Sequence, residues 1–180
     1  PHDFTLLPQG LSFSLQLAIP VKPWADDRKY KLDRLTEAKY EAELARKFLE
    51  DGLYRNAAGK AFQAWKAVLA ALAVDHVNEI AKYFKGRMKD GRTVSYAEWI
   101  VAVTPTSKMG AVAQILDGLF KTDEVELFTD IAIKLHEFQY NGLDKAGELS
   151  PYPSLEFVRM DLEKLIKAVE EFVEREARKA

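Results

Sequence analysis

Between Leu44 and Val74 the chain reads LARKFLEDGLYRNAAGKAFQAWKAVLAALAV, and no other stretch limits the fold so strongly. An amphipathic helix ends there, the chain turns at Gly52, and a second helix begins that is apolar on nearly every side. Ala58, Ala61, Phe62, Trp65, Val68, Leu69 and Leu72 form one face of this second helix, and Ala57, Ala64, Ala67, Ala70 and Ala71 cover much of the rest. Such a helix buries most of its surface only when other helices surround it, and its small residues let them approach closely. The first helix, expected from about Leu32 to Asp51, carries a seam of Leu35, Ala38, Ala42, Ala45 and Leu49, widened by Phe48. A helical hairpin at the centre of a bundle follows.

The remaining pattern is helical as well. Lys82 to Thr93 (KYFKGRMKDGRT) contains two glycines and reads as a surface loop, followed by a short helix capped by Ser95 that carries Tyr96, Trp99, Ile100 and Val103. Thr104–Pro105 opens a helix to about Phe120, and Thr122, Asp123 and Glu124 open another with an acidic first turn. Val125, Phe128, Ile131, Ala132, Leu135 and Phe138 face inward on it. A last helix from about Ser154 alternates Leu155, Val158, Leu162, Leu165, Val169 and Phe172 at three- and four-residue steps. The expectation is an all-α antiparallel bundle of four to five main helices, spanning residues 22–180 as one domain.

Residues 1–21 stand apart from this pattern. Leu11 to Ile19 (LSFSLQLAI) alternates like a strand, with Pro8, Gln9 and Gly10 as a turn before it. Ser12, Ser14 and Gln16 interrupt the continuous apolar core that a secretory signal needs, and the run is too short to span a bilayer as a helix. An extended arm or small β-hairpin docked on the bundle is one reading, and an unstructured tail is the other.

With 180 residues, 48% of them hydrophobic, the chain can bury a sizeable core. Its 26 basic and 28 acidic residues balance, so any nucleic-acid or membrane attraction must come from a local patch. The chain has no cysteine, which excludes disulfides, thiolate nucleophiles and thiolate metal sites and accords with a cytoplasmic protein. No carboxylate lies three residues before His76 or His136 and no HExxH occurs, so no metal site is expected. Walker, dinucleotide and serine-hydrolase motifs are also missing, and no cofactor is expected.

Three groups of residues remain as site candidates. Asn56, Lys60 and Gln63 repeat at helical spacing as a polar stripe, with Arg55 before them. The stripe can line a pocket or bind phosphate, or it is simply the helix's one solvent-facing edge. Arg55 near a helix start is opposed by the dipole, so a partner is expected, with Glu50 or Asp51 nearest in sequence. His136 shares a helical face with Thr129, Ile133 and Tyr140, beside the apolar seam, where it serves either as an acid or base or as a structural hydrogen-bonding group. Lys82, Lys85, Arg87, Lys89 and Arg92, interleaved with Tyr83 and Phe84 and offset only by Asp90, can contact a phosphate backbone and stack on bases. A solvated surface loop is the plainer reading of that segment.

The stretch from Lys22 to Leu72, with KPW and RLTEAKYEAELARKFLEDGLYRNAAGKAFQAWKAVLAAL, resembles the archaeal PaREP family. LHEFQYNG from Leu135 to Gly142 is similar to that family's second landmark. The family is similar in plan to HEPN domains, helical bundles found as toxins, as partners of small nucleotidyltransferases and in nucleic-acid defence. The resemblance implies a homodimer, and it implies either a binding or regulatory module, paired with a nucleotidyltransferase or with nucleic acid, or a divergent ribonuclease. Active HEPN nucleases use an arginine separated by four to six residues from a histidine. The positions where that arginine would stand are Thr129, Asp130 and Ile131 before His136, and Leu69, Ala70 and Ala71 before His76. The motif is absent, which favours a non-enzymatic module, with an enzyme built on His136 and Tyr140 as the alternative.

Overall fold

A computed structural model describes residues 21–179. Within them the chain forms α1 (Asp27–Glu50), α2 (Tyr54–Ala73), a 3₁₀ turn (Val74–His76), α3 (Val77–Tyr83), β1 (Arg87–Asp90), β2 (Arg92–Ser95), α4 (Tyr96–Val103), α5 (Thr106–Phe120), α6 (Glu124–Asn141) and α7 (Leu155–Ala177). The all-α bundle expected from the sequence is the fold, with one two-stranded sheet added to it. The expected arm at residues 1–21 lies almost wholly outside the described residues.

The central hairpin forms for the reasons its sequence gives. α1 starts earlier than the apolar seam indicates, because Asp26 caps it by accepting a hydrogen bond from the Lys29 backbone at 2.8 Å. It ends at Gly52, whose φ of 73° is open to glycine at little cost. α2 buries 14 of its 20 residues, so it is surrounded. It packs on α1, α5, α6 and α7. Trp65 is fully buried at its middle, against Phe128 of α6 and edge-on to Phe172 of α7, and its indole N–H donates to the Thr129 hydroxyl at 2.8 Å. Full burial of such a side chain contributes about 2–3 kcal/mol, and the hydrogen bond removes the penalty of a dry N–H.

α6 runs antiparallel to α2. Trp65 meets Thr129, Phe62 meets His136 and Arg55 reaches Gln139, so rising numbers on one helix face falling numbers on the other. α5 and α6 form a second hairpin, closed by Asp117, whose carboxylate accepts from the backbone N–H of Val125 at 3.0 Å and Glu126 at 2.8 Å. The cap of α6 therefore comes from the preceding helix, in addition to the local Thr122–Glu124 segment that the sequence suggested.

The segment from Lys82 to Thr93 departs from expectation. Instead of a surface loop, residues 87–95 form an antiparallel hairpin with Arg87 opposite Ser95, Met88 opposite Val94, Lys89 opposite Thr93 and Asp90 opposite Arg92. The chain reverses at Gly91, with φ of 70°. The pleat explains why the strands form: Met88 and Val94 lie on one face, and Val94 is buried, while Arg87 and Lys89 are exposed on the other. The hairpin packs on α4, whose start carries a complete capping box between Ser95 and Glu98.

Candidate functional site

α1 and α6 both pack on α2 and leave a polar edge of α2 uncovered between them. Asn56 and Gln63 are exposed on this edge, and Lys60 and Lys66 are half-buried. Lys66 extends the stripe by one further helical step, a position beyond the three residues that the helical spacing singled out. Lys60 pairs with Glu41 of α1 at 2.9 Å, so it is tied to the neighbouring helix.

Arg55 is not held by Glu50 or Asp51. Its guanidinium donates instead to the backbone oxygens of Gln139 at 2.7 Å and Tyr140 at 2.6 Å, at the end of α6. The cation that the dipole of α2 opposes is satisfied by the negative end of another helix. Gln139 also crosses α2 at Gly59, where a Cβ would come within 2.6 Å of its amide nitrogen. The glycine in RNAAGKA thus marks the place where the Gln139 side chain lies on α2.

His136 sits on the α6 side of the same edge. Its ring stacks on Phe62 with centroids 4.0 Å apart and meets Tyr140 edge-on at 5.1 Å. Burial pushes its pKa below the ordinary histidine value, and the Lys66 charge pushes the same way, against upward effects from the Gln139 side chain and Glu137. Nδ1 is buried without a hydrogen-bond partner. The ring lies between aromatic side chains and within electrostatic reach of Lys66, surroundings that favour its neutral form, while Tyr140 is exposed.

The other wall of the edge is a cavity of about 170 Å³ between α1, α2 and α4. Tyr30, Arg34 and Glu37 of α1, Gln63 and Lys66 of α2, and Thr104 line it. Arg34 pairs with Glu37 through Nη1 at 2.7 Å and lies over the Tyr30 ring. Its Nε is buried with no hydrogen bond, and Glu37 Oε2 lies out of hydrogen-bonding alignment. The Tyr30 hydroxyl donates to the Val101 backbone oxygen at 2.8 Å, and burial pushes its pKa up to about 12. Thr104 closes the end of α4 with φ of 44°, a left-handed conformation that a β-branched residue adopts only under constraint, and its hydroxyl donates to the same Val101 oxygen at 3.0 Å. Burial lowers the pKa of Lys66, with Glu37 raising it and Arg34 lowering it further. Arg34 and Glu37 do not stand out in the sequence, because their i,i+3 spacing looks like any surface ion pair.

The basic segment lies on a separate surface. Lys82, Lys85, Arg87, Lys89 and Arg92 are all exposed, as is Tyr83. Arg92 and Lys22 both lie over the Trp24 ring, and Lys22 pairs with Asp90 at 2.7 Å, which fixes the tip of the hairpin to the start of the described chain. Phe84, Tyr96 and Trp99 form a half-buried aromatic row beside it, with Lys108 over Phe84. The structure therefore gathers Arg55, Asn56, Lys60, Gln63, His136 and Tyr140 around one helix edge and sets Lys85, Arg87, Lys89 and Arg92 on a hairpin elsewhere.

Among the described residues no helix is long and apolar enough to cross a membrane, and no group of three or more His, Asp or Glu side chains is placed to hold a metal ion. Neither a curated protein nor a solved structure matches the chain. A model of the archaeal PaREP1/PaREP8 family matches residues 33–163, a span that takes in the central hairpin, the basic hairpin, His136 and the start of α7. By that match the chain belongs to the archaeal PaREP1/PaREP8 family.

Proposed function

We propose that this protein is a non-catalytic binding module whose basic hairpin grips single-stranded nucleic acid. The observation that carries the reading is the pleat of the hairpin. It turns Arg87 and Lys89 to solvent on one face, with Thr93 and Ser95 opposite them. Lys82, Lys85 and Arg92 extend the charge to either side, and Asp90, the one acid in the hairpin, is occupied by Lys22. Cations at this density attract a phosphate backbone whatever the protein's overall charge, and Tyr83 and the Phe84–Tyr96–Trp99 row supply faces for base stacking. The HEPN-like plan that the family resemblance implies fits this reading, as does a homodimer. Phe157 and Met160, both exposed beside Pro151 and Pro153, give a second copy an apolar surface.

The test is fluorescence anisotropy of a labelled single-stranded RNA over a salt series. Binding should weaken linearly in log–log form, and replacing Lys85, Arg87, Lys89 and Arg92 by alanine should flatten the slope by about 0.7 for each phosphate that the hairpin no longer neutralises. Binding untouched by the fourfold replacement would remove the hairpin from the interaction.

One observation favours an enzyme instead: the unpartnered Nδ1 of His136 with Lys66 in electrostatic reach. An enzyme of that kind must cut or modify the RNA during the titration and lose this on His136→Phe. A binding module leaves the RNA intact with either protein.

A further inference from the structure

We propose that the cavity between α1, α2 and α4 is a binding site for a small oxyanion of the phosphate class, gripped by Arg34 and Lys66. The site is independent of the hairpin, because none of the hairpin's cations lines it.

Lys66 is half-buried beside the charges of Glu37 and Arg34, and the Arg34 Nε–H is a buried donor without an acceptor. A guanidinium binds an oxyanion best in a fork of two parallel N–H groups. Glu37 pairs with Nη1 and anchors Arg34 by that end, while the Nε–H has no solvent-accessible surface, so an anion takes the fork only as the guanidinium turns toward the cavity. Glu37 is the one acid lining the cavity, and with Arg34 and Lys66 ionised it leaves one positive charge uncompensated. Glu41, the next acid along α1, is already held by Lys60.

The walls are fixed in a way that keeps these donors available. Tyr30 and Thr104 both direct their hydroxyl protons to the Val101 oxygen, so neither hydroxyl donates to Glu37. The constrained backbone of Thr104 holds the α4 end in place. At about 170 Å³ the cavity is smaller than the roughly 300–1,000 Å³ typical of sites for larger organic ligands. That is room for a phosphate group with a short substituent. Gln63, exposed at the rim, adds an amide N–H. The burial that lowers the pKa of Lys66 is the cost that a bound anion would offset, so ligand binding should hold this lysine charged.

The experiment is titration of the full chain with inorganic phosphate, by calorimetry and by ³¹P line broadening, with ionic strength held constant by sodium chloride. Saturable binding at one site per chain is expected. Arg34→Lys keeps the charge but removes the fork, and should weaken binding by about tenfold or more. Gln63→Glu alters only an exposed position, so it leaves the core intact while placing a second acid at the rim, and it should abolish binding. Replacing Lys85, Arg87, Lys89 and Arg92 by alanine should change nothing. The proposal fails if phosphate does not saturate, if Arg34→Lys binds like the parent, if the hairpin replacement is what removes binding, or if acetate binds as tightly as phosphate. Circular dichroism of each variant confirms that the loss is local.

Discussion

Arg55 and Gln139 lock the beginning of one central helix to the end of another: the Arg55 Nε–H donates to the Gln139 backbone oxygen at 2.7 Å while Nη2 reaches the next carbonyl, that of Tyr140. Arg55→Ala frees two terminal carbonyls of α6 to water. Both groups are exposed, so the loss should be modest, about 1 kcal/mol, seen as a lower urea midpoint with unchanged m-value. Arg55→Lys keeps the charge near the α6 terminus but cannot fork between two carbonyls, and should fall between the two. If the alanine variant matches the parent, this pair of hydrogen bonds does not stabilise the fold.

Trp65 and Thr129 interact in a different way, because both are fully buried. Thr129→Val preserves shape and leaves the indole N–H dry, at a cost of about 1–3 kcal/mol. Trp65→Phe removes the donor with part of the ring, so the hydroxyl and a cavity both remain, and it should cost more. In the double variant the two losses should not add, since each removes the same hydrogen bond. Strictly additive midpoint shifts would mean that the bond contributes nothing.

These interactions also show how far the sequence could be read. The apolar faces of α2 and α7 announce themselves through three- and four-residue spacing, which is a property of one helix and survives without any knowledge of its neighbours. Arg55 finding α6, Asp117 capping α6 from α5 and Lys66 joining Arg34 depend on which helices become neighbours, and local spacing carries no such information. The hairpin escaped for another cause. Its strands are four residues long, so each face holds only two side chains, and RMKD and RTVS alternate too briefly to stand out between glycines. At His136 the sequence located the residue and its neighbour Tyr140, while the ring stack on Phe62 required the α2–α6 register.

Glu176 is buried at 3% exposure and held between Lys31 at 2.8 Å and Lys179 at 2.7 Å, with Asp75 sharing Lys31. Burial pushes its carboxyl up, but hydrogen bonds from Lys179 and Lys31 more than offset this and leave its pKa below the usual glutamate value. A depressed acid stabilises the fold above its unfolded pKa of 4.5, and that stability is lost as pH falls through the depressed value. Glu176→Gln should therefore cost about 2 kcal/mol at neutral pH, since Lys31 retains only Asp75. The gap between the two proteins in urea midpoint should close as pH is lowered below 4.5. A gap that stays constant with pH would show that the variant acts through packing.

His136 gives the opposite end of the pH scale its test. Its folded pKa lies below the unfolded value of 6.5, so the unfolded chain takes up a proton first as pH falls. Stability is therefore full above about 6.5 and declines as pH drops through 6.5 toward the lowered value. The groups that set this are the burying Phe62 and Tyr140 rings, Lys66 disfavouring the proton, and Gln139 and Glu137 favouring it. His136→Phe keeps a ring on Phe62 and removes the titration. Urea midpoints of both proteins at a series of pH values from about 8 to about 5 isolate the residue, because every other group titrates in common. The parent should lose more stability than the variant over the lower half of that range. Parallel curves would mean that His136 binds its proton equally in the folded and unfolded chain, and that the stack on Phe62 does not hold it neutral.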